Sequence, residues 1–193
     1  SGRRTGAAQD ILAPQSWPTI TAWAMPILSG LHSGIAGRQV PLLAATGASR
    51  TAFAQSMDHL IELGLLERNP GYGHPLRPEF RLTELGRTVA TIADKIHSVS
   101  TEEDWPLLRR SWTLPVLTSL HKPSHFMDIK RRLPTITDRA LSQSLKSMEA
   151  RDWVCRSVDG GARPPRSIYS AVNTGDLISQ VIAPEVVLVS RPG

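Results

Sequence analysis

The chain repeats itself, and that repeat constrains its fold more than any other feature. Trp17-Pro18, Trp23, Pro26, Leu28, Leu31 and His32 return as Trp105-Pro106, Trp112, Pro115, Leu117, Leu120 and His121, an offset of about 88 residues. The register continues, with Ala52, Gln55, Ser56 and Arg68 matched by Ala140, Gln143, Ser144 and Arg156, and Pro75, Arg77 and Gly86 by Pro164, Arg166 and Gly175. Two copies of one small module are therefore expected in the 193 residues, in place of a single large core. Residues kept in both copies are expected to hold the fold, and residues that differ to carry what each copy does separately.

Composition narrows the class. The chain is 40% hydrophobic and 20% charged, as in an ordinary soluble globular protein. No apolar run approaches a membrane span and no signal pattern opens the chain, so no membrane partner is expected. One cysteine, Cys155, can form neither an internal disulfide nor a metal cluster, which points to a reducing cytoplasm. Net charge is +5, and its distribution is uneven. Residues 1–103 hold nine Lys/Arg and nine Asp/Glu, whereas residues 104–193 hold thirteen and eight, so the whole excess lies in the second copy. A polyanion partner follows if those cations share a surface built for one.

Each copy opens with a helix-capping residue, Ser16 or Asp104, followed by Trp and Pro, which suit a first turn. The pattern predicts a first helix running from there through Leu31 or Leu120, kinked or split at Pro26 and Pro115. A short helix follows, carrying Val40, Leu42 and Leu43 in one copy and Phe126, Ile129 and Leu133 in the other. Thr46-Gly47 and Pro134-Thr135 break the chain. The third helix has the clearest period, with Ala52, Phe53, Met57 and Leu60, and likewise Ala140, Leu141, Leu145 and Met148, on a core face. Two extended runs around a Gly/Pro-rich turn come next: Leu65 to Arg68 and a run ending at Leu82, or Trp153 to Val158 and a run ending at Ser170. A last helix closes each copy, over 84–98 and 175–183.

Three helices and a two-stranded hairpin make a winged helix-turn-helix. The expected fold class is mainly α with small β-hairpin wings (α+β), as two tandem winged helix-turn-helix domains forming a pseudo-dimer. The boundaries are an N-terminal arm over 1–15, a first domain over 16–98, a linker over 99–103 and a second domain over 104–193.

The second copy resembles the HxlR family of bacterial transcription regulators, a branch of the MarR-like winged helix proteins. The residues that carry the resemblance are Trp112-Thr113-Leu114-Pro115-Val116-Leu117, His125-Phe126-Met127-Asp128-Ile129, the run Ile136 to Leu145, and Pro165-Arg166-Ser167-Ile168-Tyr169-Ser170. The first copy is a more distant match, through Phe80-Arg81-Leu82-Thr83-Glu84-Leu85-Gly86. Family members usually carry one such domain and dimerise, whereas this chain carries two. The cysteine that many of them place before the first helix is missing here.

The resemblance implies an operator on double-stranded DNA as the partner and a nucleoid-associated, cytoplasmic location. Arg139 and Gln143 have the reach to bond guanine and adenine edges with two hydrogen bonds each. Thr137 and Ser142 suit phosphates or bridging waters, and Lys146 adds charge one turn later. Arg163-Pro164-Pro165-Arg166 forms a stiff cationic wing tip suited to a minor groove. Lys130 and Arg131, followed by Arg132, sit on the helix that crosses the DNA backbone. In the first copy the counterparts are Ser49, Arg50, Thr51 and Gln55, with His74 and Arg77 in the wing, but Asp58 stands where Lys146 does. Either the two copies read two unequal half-sites, or only the second reads DNA.

Other chemistry finds little footing. The chain has no glycine-rich phosphate loop after a strand, no nucleophile elbow and no metallohydrolase spacing, so it is read as neither an enzyme nor a cofactor protein. The paired tryptophans, Trp17, Trp23, Trp105 and Trp112, are read as packing residues, Trp153 as core, and His32 and His121 as structural. His121 and His125 have metal-like spacing, but Pro123 between them argues against a regular helix. Cys155 aligns with Glu67 and is expected to face solvent. Two other readings stand beside the regulator: a protein-interaction module resembling ScpB-type tandem winged helices, and a regulator with a small-molecule effector pocket between the copies. A homodimer pairing through the first and last helices is compatible with the regulator.

Overall fold

The computed structural model of the protein describes residues 23–69, 78–161 and 164–189. They fall into two compact units that divide between Ser98 and Val99. The first unit runs α1 (Ala24–His32), α2 (Gln39–Thr46), α3 (Arg50–Glu62), β1 (Leu66–Asn69), β2 (Glu79–Leu82) and α4 (Glu84–Val99). The second opens with a 3-10 turn (Glu102–Asp104) and α5 (Trp105–Leu108). It continues through α6 (Thr113–Ser119), β3 (Ser124–His125), α7 (Phe126–Arg132), α8 (Asp138–Glu149), β4 (Val154–Asp159), β5 (Arg166–Ala171) and α9 (Asn173–Val189). This is a mixed α+β architecture in which small antiparallel sheets follow the helices.

Physical details recur at matching positions. Trp23 and Trp112 precede α1 and α6 with nearly the same backbone, φ −102°, ψ −4° and φ −100°, ψ −4°. Pro26 and Pro115 each fall at the third residue of these helices, where a backbone amide has no intrahelical acceptor to lose. Neither proline therefore interrupts the helix that holds it. In the second unit the expected split is present but comes earlier than Pro115, between Leu108 and Thr113, and leaves two short helices. Trp17 and Ser16 lie outside the described residues.

The third helices start alike. Ser49 and Thr137 sit in extended backbone, and their side-chain oxygens accept from the amides of Ala52 and Ala140 at 3.2 and 3.1 Å. They also end alike, in a Schellman turn. The Leu65 amide bonds the Leu60 carbonyl and the Trp153 amide that of Met148, both at 2.9 Å, around left-handed Gly64 (φ 69°) and Asp152 (φ 58°).

Each hairpin then docks on its own last helix through a glycine. The Leu65 carbonyl accepts from the Thr83 amide and approaches Gly86, and the Trp153 carbonyl accepts from the Val172 amide and approaches Gly175. A Cβ on Gly86 or Gly175 would lie 1.9 or 2.3 Å from those oxygens. No side chain fits there.

The first unit pairs Leu66 with Leu82 through Asn69 with Glu79. The second has strand order β3-β5-β4, with Val154 opposite Ala171 and Asp159 opposite Arg166. β3, only two residues long, pairs Ser124 with Tyr169 and is an element that periodicity cannot reveal. Its counterpart in the first unit is a single bond, from the Phe80 amide to the Gly37 carbonyl at 2.6 Å.

The cores follow the expected pattern. Phe53, Met57 and Leu60 of α3 are buried with Ile27, Leu28, Leu42, Leu65 and Ile92. Leu141, Leu145 and Met148 of α8 are buried, as are Leu117, Ile129, Trp153, Ile178 and Ile182. α6 is buried along its whole length. Its hydroxyls are satisfied locally, Thr118 by the Leu114 carbonyl and Ser119 by that of Pro115. His32 and His121, read from sequence as structural, are exposed, and the His121 Nδ1 donates to the Thr118 carbonyl at 3.1 Å. α9 begins at Asn173 and continues to Val189, beyond the expected stop at residue 183.

Asp104 does not cap the helix that follows it. It turns back to accept from the Thr101 amide and hydroxyl at 2.8 and 2.9 Å, and it pairs with Arg151 at 2.8 Å. The carboxyl is almost wholly buried. Burial pushes it up, but the bonds from the Thr101 amide, Arg151 and the Thr101 hydroxyl, with the charge of Arg151, outweigh that and hold it below the ordinary carboxylate range. A depressed carboxyl stabilises the fold at pH values above its unfolded pKa, and the contribution disappears as pH falls through the folded one. Asp104→Ala is expected to cost about 1–3 kcal/mol at neutral pH. Urea midpoints of wild type and variant should converge as pH falls below the ordinary carboxylate range of about 4; midpoints that stay equally far apart throughout would contradict the assignment.

Candidate nucleic-acid interface

On α8, residues 139, 143 and 146 fall at i, i+4 and i+7, about 200° round the helix from the buried row 141, 145 and 148. Arg139, Gln143 and Lys146 are exposed, and their side chains make no hydrogen bond or ion pair to any described residue. Ser142, beside them, is half-buried. A buried apolar row fixes the rotation of the helix, so the polar row has to face solvent. Three long side chains able to donate hydrogen bonds therefore stand clear on one surface.

Around this row the cations are tethered. The Lys130 ammonium of α7 bonds the Asp138 carboxylate at the start of α8, and Arg131 pairs with Asp128 at 2.9 Å. Such exposed pairs are worth only about 0.2–1 kcal/mol, so phosphate oxygens can displace the carboxylates. Arg132 is held differently. Its guanidinium donates to the Ser119 carbonyl at 2.7 Å and to the Ser124 hydroxyl at 2.8 Å, joining α7 to the end of α6 and to β3. That makes it a structural residue, a role that nothing in the Lys130-Arg131-Arg132 run announces. Thr137 likewise spends its acceptor on the α8 amide, and Ser49 does the same on α3.

Residues 107–187 match the family model described as HxlR-like helix-turn-helix. The HxlR-like segment thus spans α6 to α8, the β4–β5 hairpin and nearly all of α9, and it contains the whole exposed row of α8. This supports a winged helix-turn-helix regulator. Two solved structures are similar over about half of the chain. A Porphyromonas gingivalis W83 protein assigned to the MarR family shares 21% identity, covering 46% of this chain and 91% of its own, with a TM-score of 0.39. The reduced form of the transcriptional regulator YodB from B. subtilis shares 25%, covering 48% and 93%, also with a TM-score of 0.39. No curated protein matches the chain.

In the HxlR-like segment the wing strands β4 and β5 place Arg166 at the exposed end of the ladder, opposite Asp159. Arg156, on β4, donates to the Ser167 hydroxyl at 2.9 Å. His125 links the short β3 to the wing. Its Nδ1 donates to the Ser167 carbonyl at 3.1 Å, and its Nε2 lies 3.8 Å from the Asp159 carboxylate. Arg163 falls outside the described residues, as do His74 and Arg77 of the first unit. Cys155 is exposed, as expected from its alignment with Glu67. Among the described residues no group of three His, Cys, Asp or Glu could hold a metal ion, and no helix is long and apolar enough to cross a membrane.

In the first unit Arg50, Thr51 and Gln55 are exposed on α3, as their counterparts are on α8. Asp58 is exposed on the same face. The sequence reading missed Asp138, whose carboxylate sits at the mouth of the α8 row and orients Lys130. It also missed the Asp104–Arg151 pair, although Thr101-x-x-Asp104 has the spacing of a capping box.

Proposed function

We propose that the chain is a sequence-specific DNA-binding transcription regulator made of two tandem winged helix-turn-helix units, copies of one module. The observation that carries this reading is the α8 surface: Arg139, Gln143 and Lys146 exposed and unengaged, on a helix fixed by its buried row, inside the HxlR-like segment. α8 enters the major groove, where Arg139 and Gln143 reach base edges. Lys146, with Ser142 and the hydroxyl hydrogen of Thr137, meets the flanking backbone. Lys130 and Arg131 exchange their carboxylate partners for phosphates, and Arg163 with Arg166 brings the wing to the minor groove or the backbone. Regulation follows from occupancy of an operator that polymerase must cross or contact.

Fluorescence anisotropy of the full chain against its own upstream DNA and a scrambled competitor, across a salt series, tests the reading. A preference for the upstream DNA that survives moderate salt is expected. Equal binding of both DNAs that vanishes as salt rises would leave only the counterion-release contribution. The protein-interaction reading would then replace this one.

A further inference from the structure

Resting on that reading, we infer that base readout belongs to the second unit alone, so that each chain is a single reader and covers one half-site. The two units supply the comparison themselves. Leu42 of α2 and Ile129 of α7 are both fully buried at corresponding places. Counting on from them, Lys130, Arg131 and Arg132 stand where the first unit has Leu43, Ala44 and Ala45. The caps Ser49 and Thr137 set the register of the next helices, where Arg139, Ser142 and Lys146 stand opposite Thr51, Ala54 and Asp58. Only Gln55 and Gln143 agree on this face.

The consequences for a polyanion are direct. Residues 126–149 carry five Lys/Arg against three carboxylates, whereas residues 39–62 carry one, Arg50, against Asp58 and Glu62. Val40, Ala44, Ala45 and Ala54 are exposed on α2 and α3, with Val40 77% exposed, and none offers a phosphate a donor. Asp58 would oppose a phosphate where Lys146 attracts one. The first unit keeps the frame of the module, including cap, Schellman turn and glycine contact, while its helix-turn-helix face lacks the charge that DNA binding draws on. A symmetric operator would accordingly be filled by two chains, each presenting one α8.

The test uses the full chain on its upstream DNA. Thr51→Ala/Gln55→Ala is expected to change the dissociation constant by less than about threefold. Asp58→Lys is expected to leave the slope of log affinity against log salt unchanged, without the increment of about 0.9 that one new phosphate contact adds. Hydroxyl-radical footprinting should show one protected half-site per bound chain. These variants change exposed side chains, and circular dichroism confirms that they fold. A loss of tenfold or more with Thr51→Ala/Gln55→Ala, a steeper slope with Asp58→Lys, or two protected half-sites per chain would overturn the inference while the regulator reading stood. A wild type that fails to prefer its upstream DNA overturns that reading, and the inference with it.

Discussion

Replacing Arg139 and Gln143 together by alanine is expected to abolish the preference for operator over scrambled DNA without unfolding the protein. A good bidentate contact to a base edge is worth about 1–3 kcal/mol of discrimination. Two such contacts correspond to a loss of roughly thirtyfold to twenty-thousandfold in the specificity ratio. Both side chains are exposed and bonded to no described residue, so the stability of the fold should move by no more than about 0.5 kcal/mol. Lys146→Ala provides the contrast. It is expected to weaken binding to both DNAs alike and to lower the salt slope by about 0.9, because a phosphate contact carries no sequence information. An Arg139→Ala/Gln143→Ala variant that kept its preference would remove α8 from the role of reader.

Gly175→Ala is expected to be the most damaging single methyl group in the second unit. The added carbon would lie 2.3 Å from the Trp153 carbonyl oxygen and 2.8 Å from the Trp153 Cβ. Neither atom can yield, because that carbonyl accepts from the Val172 amide at 2.8 Å, the Trp153 amide closes the Schellman turn, and the indole is 2% exposed in the core. Separating α9 from the hairpin should cost about 3 kcal/mol, the upper end of what overpacking usually costs, because both atoms are held in place. Gly86→Ala should act likewise in the first unit, against the Leu65 carbonyl at 1.9 Å. Gly160→Ala, whose added carbon meets nothing within 4 Å, serves as the control and should shift the urea midpoint little. Near-native midpoints for Gly175→Ala would mean that α9 and the hairpin separate without cost.

Glycines 86 and 175 also show how a residue that recurs along the sequence can be read. A residue found at the same place in both units marks a demand of the fold, and here the demand is a helix pressed onto a carbonyl. The buried rows of α3 and α8, the caps at Ser49 and Thr137 and the break at Gly47 follow from helical period and local backbone chemistry. So does the exposed face of α8, since a buried row at 141, 145 and 148 leaves 139, 143 and 146 outward. These interactions act within a turn or two of chain, and residue order is enough to specify them.

Tertiary structure decided what joins residues far apart in the chain. It turned Asp104 from a cap on the helix that follows it into the buried partner of Arg151, and gave Arg132 to the Ser119 carbonyl and the Ser124 hydroxyl. It set Lys130 against Asp138, and it added a two-residue strand at Ser124–His125 that no period could announce. A long charged side chain can reach many partners, and only the packed backbone fixes which acceptor lies within hydrogen-bond distance. Sequence alone thus determined the buried helical rows, their caps and the outward row of α8, all set by short-range periodicity. The tertiary structure decided which cations remain free to meet a phosphate and which are already held by the protein, because that depends on distances between elements.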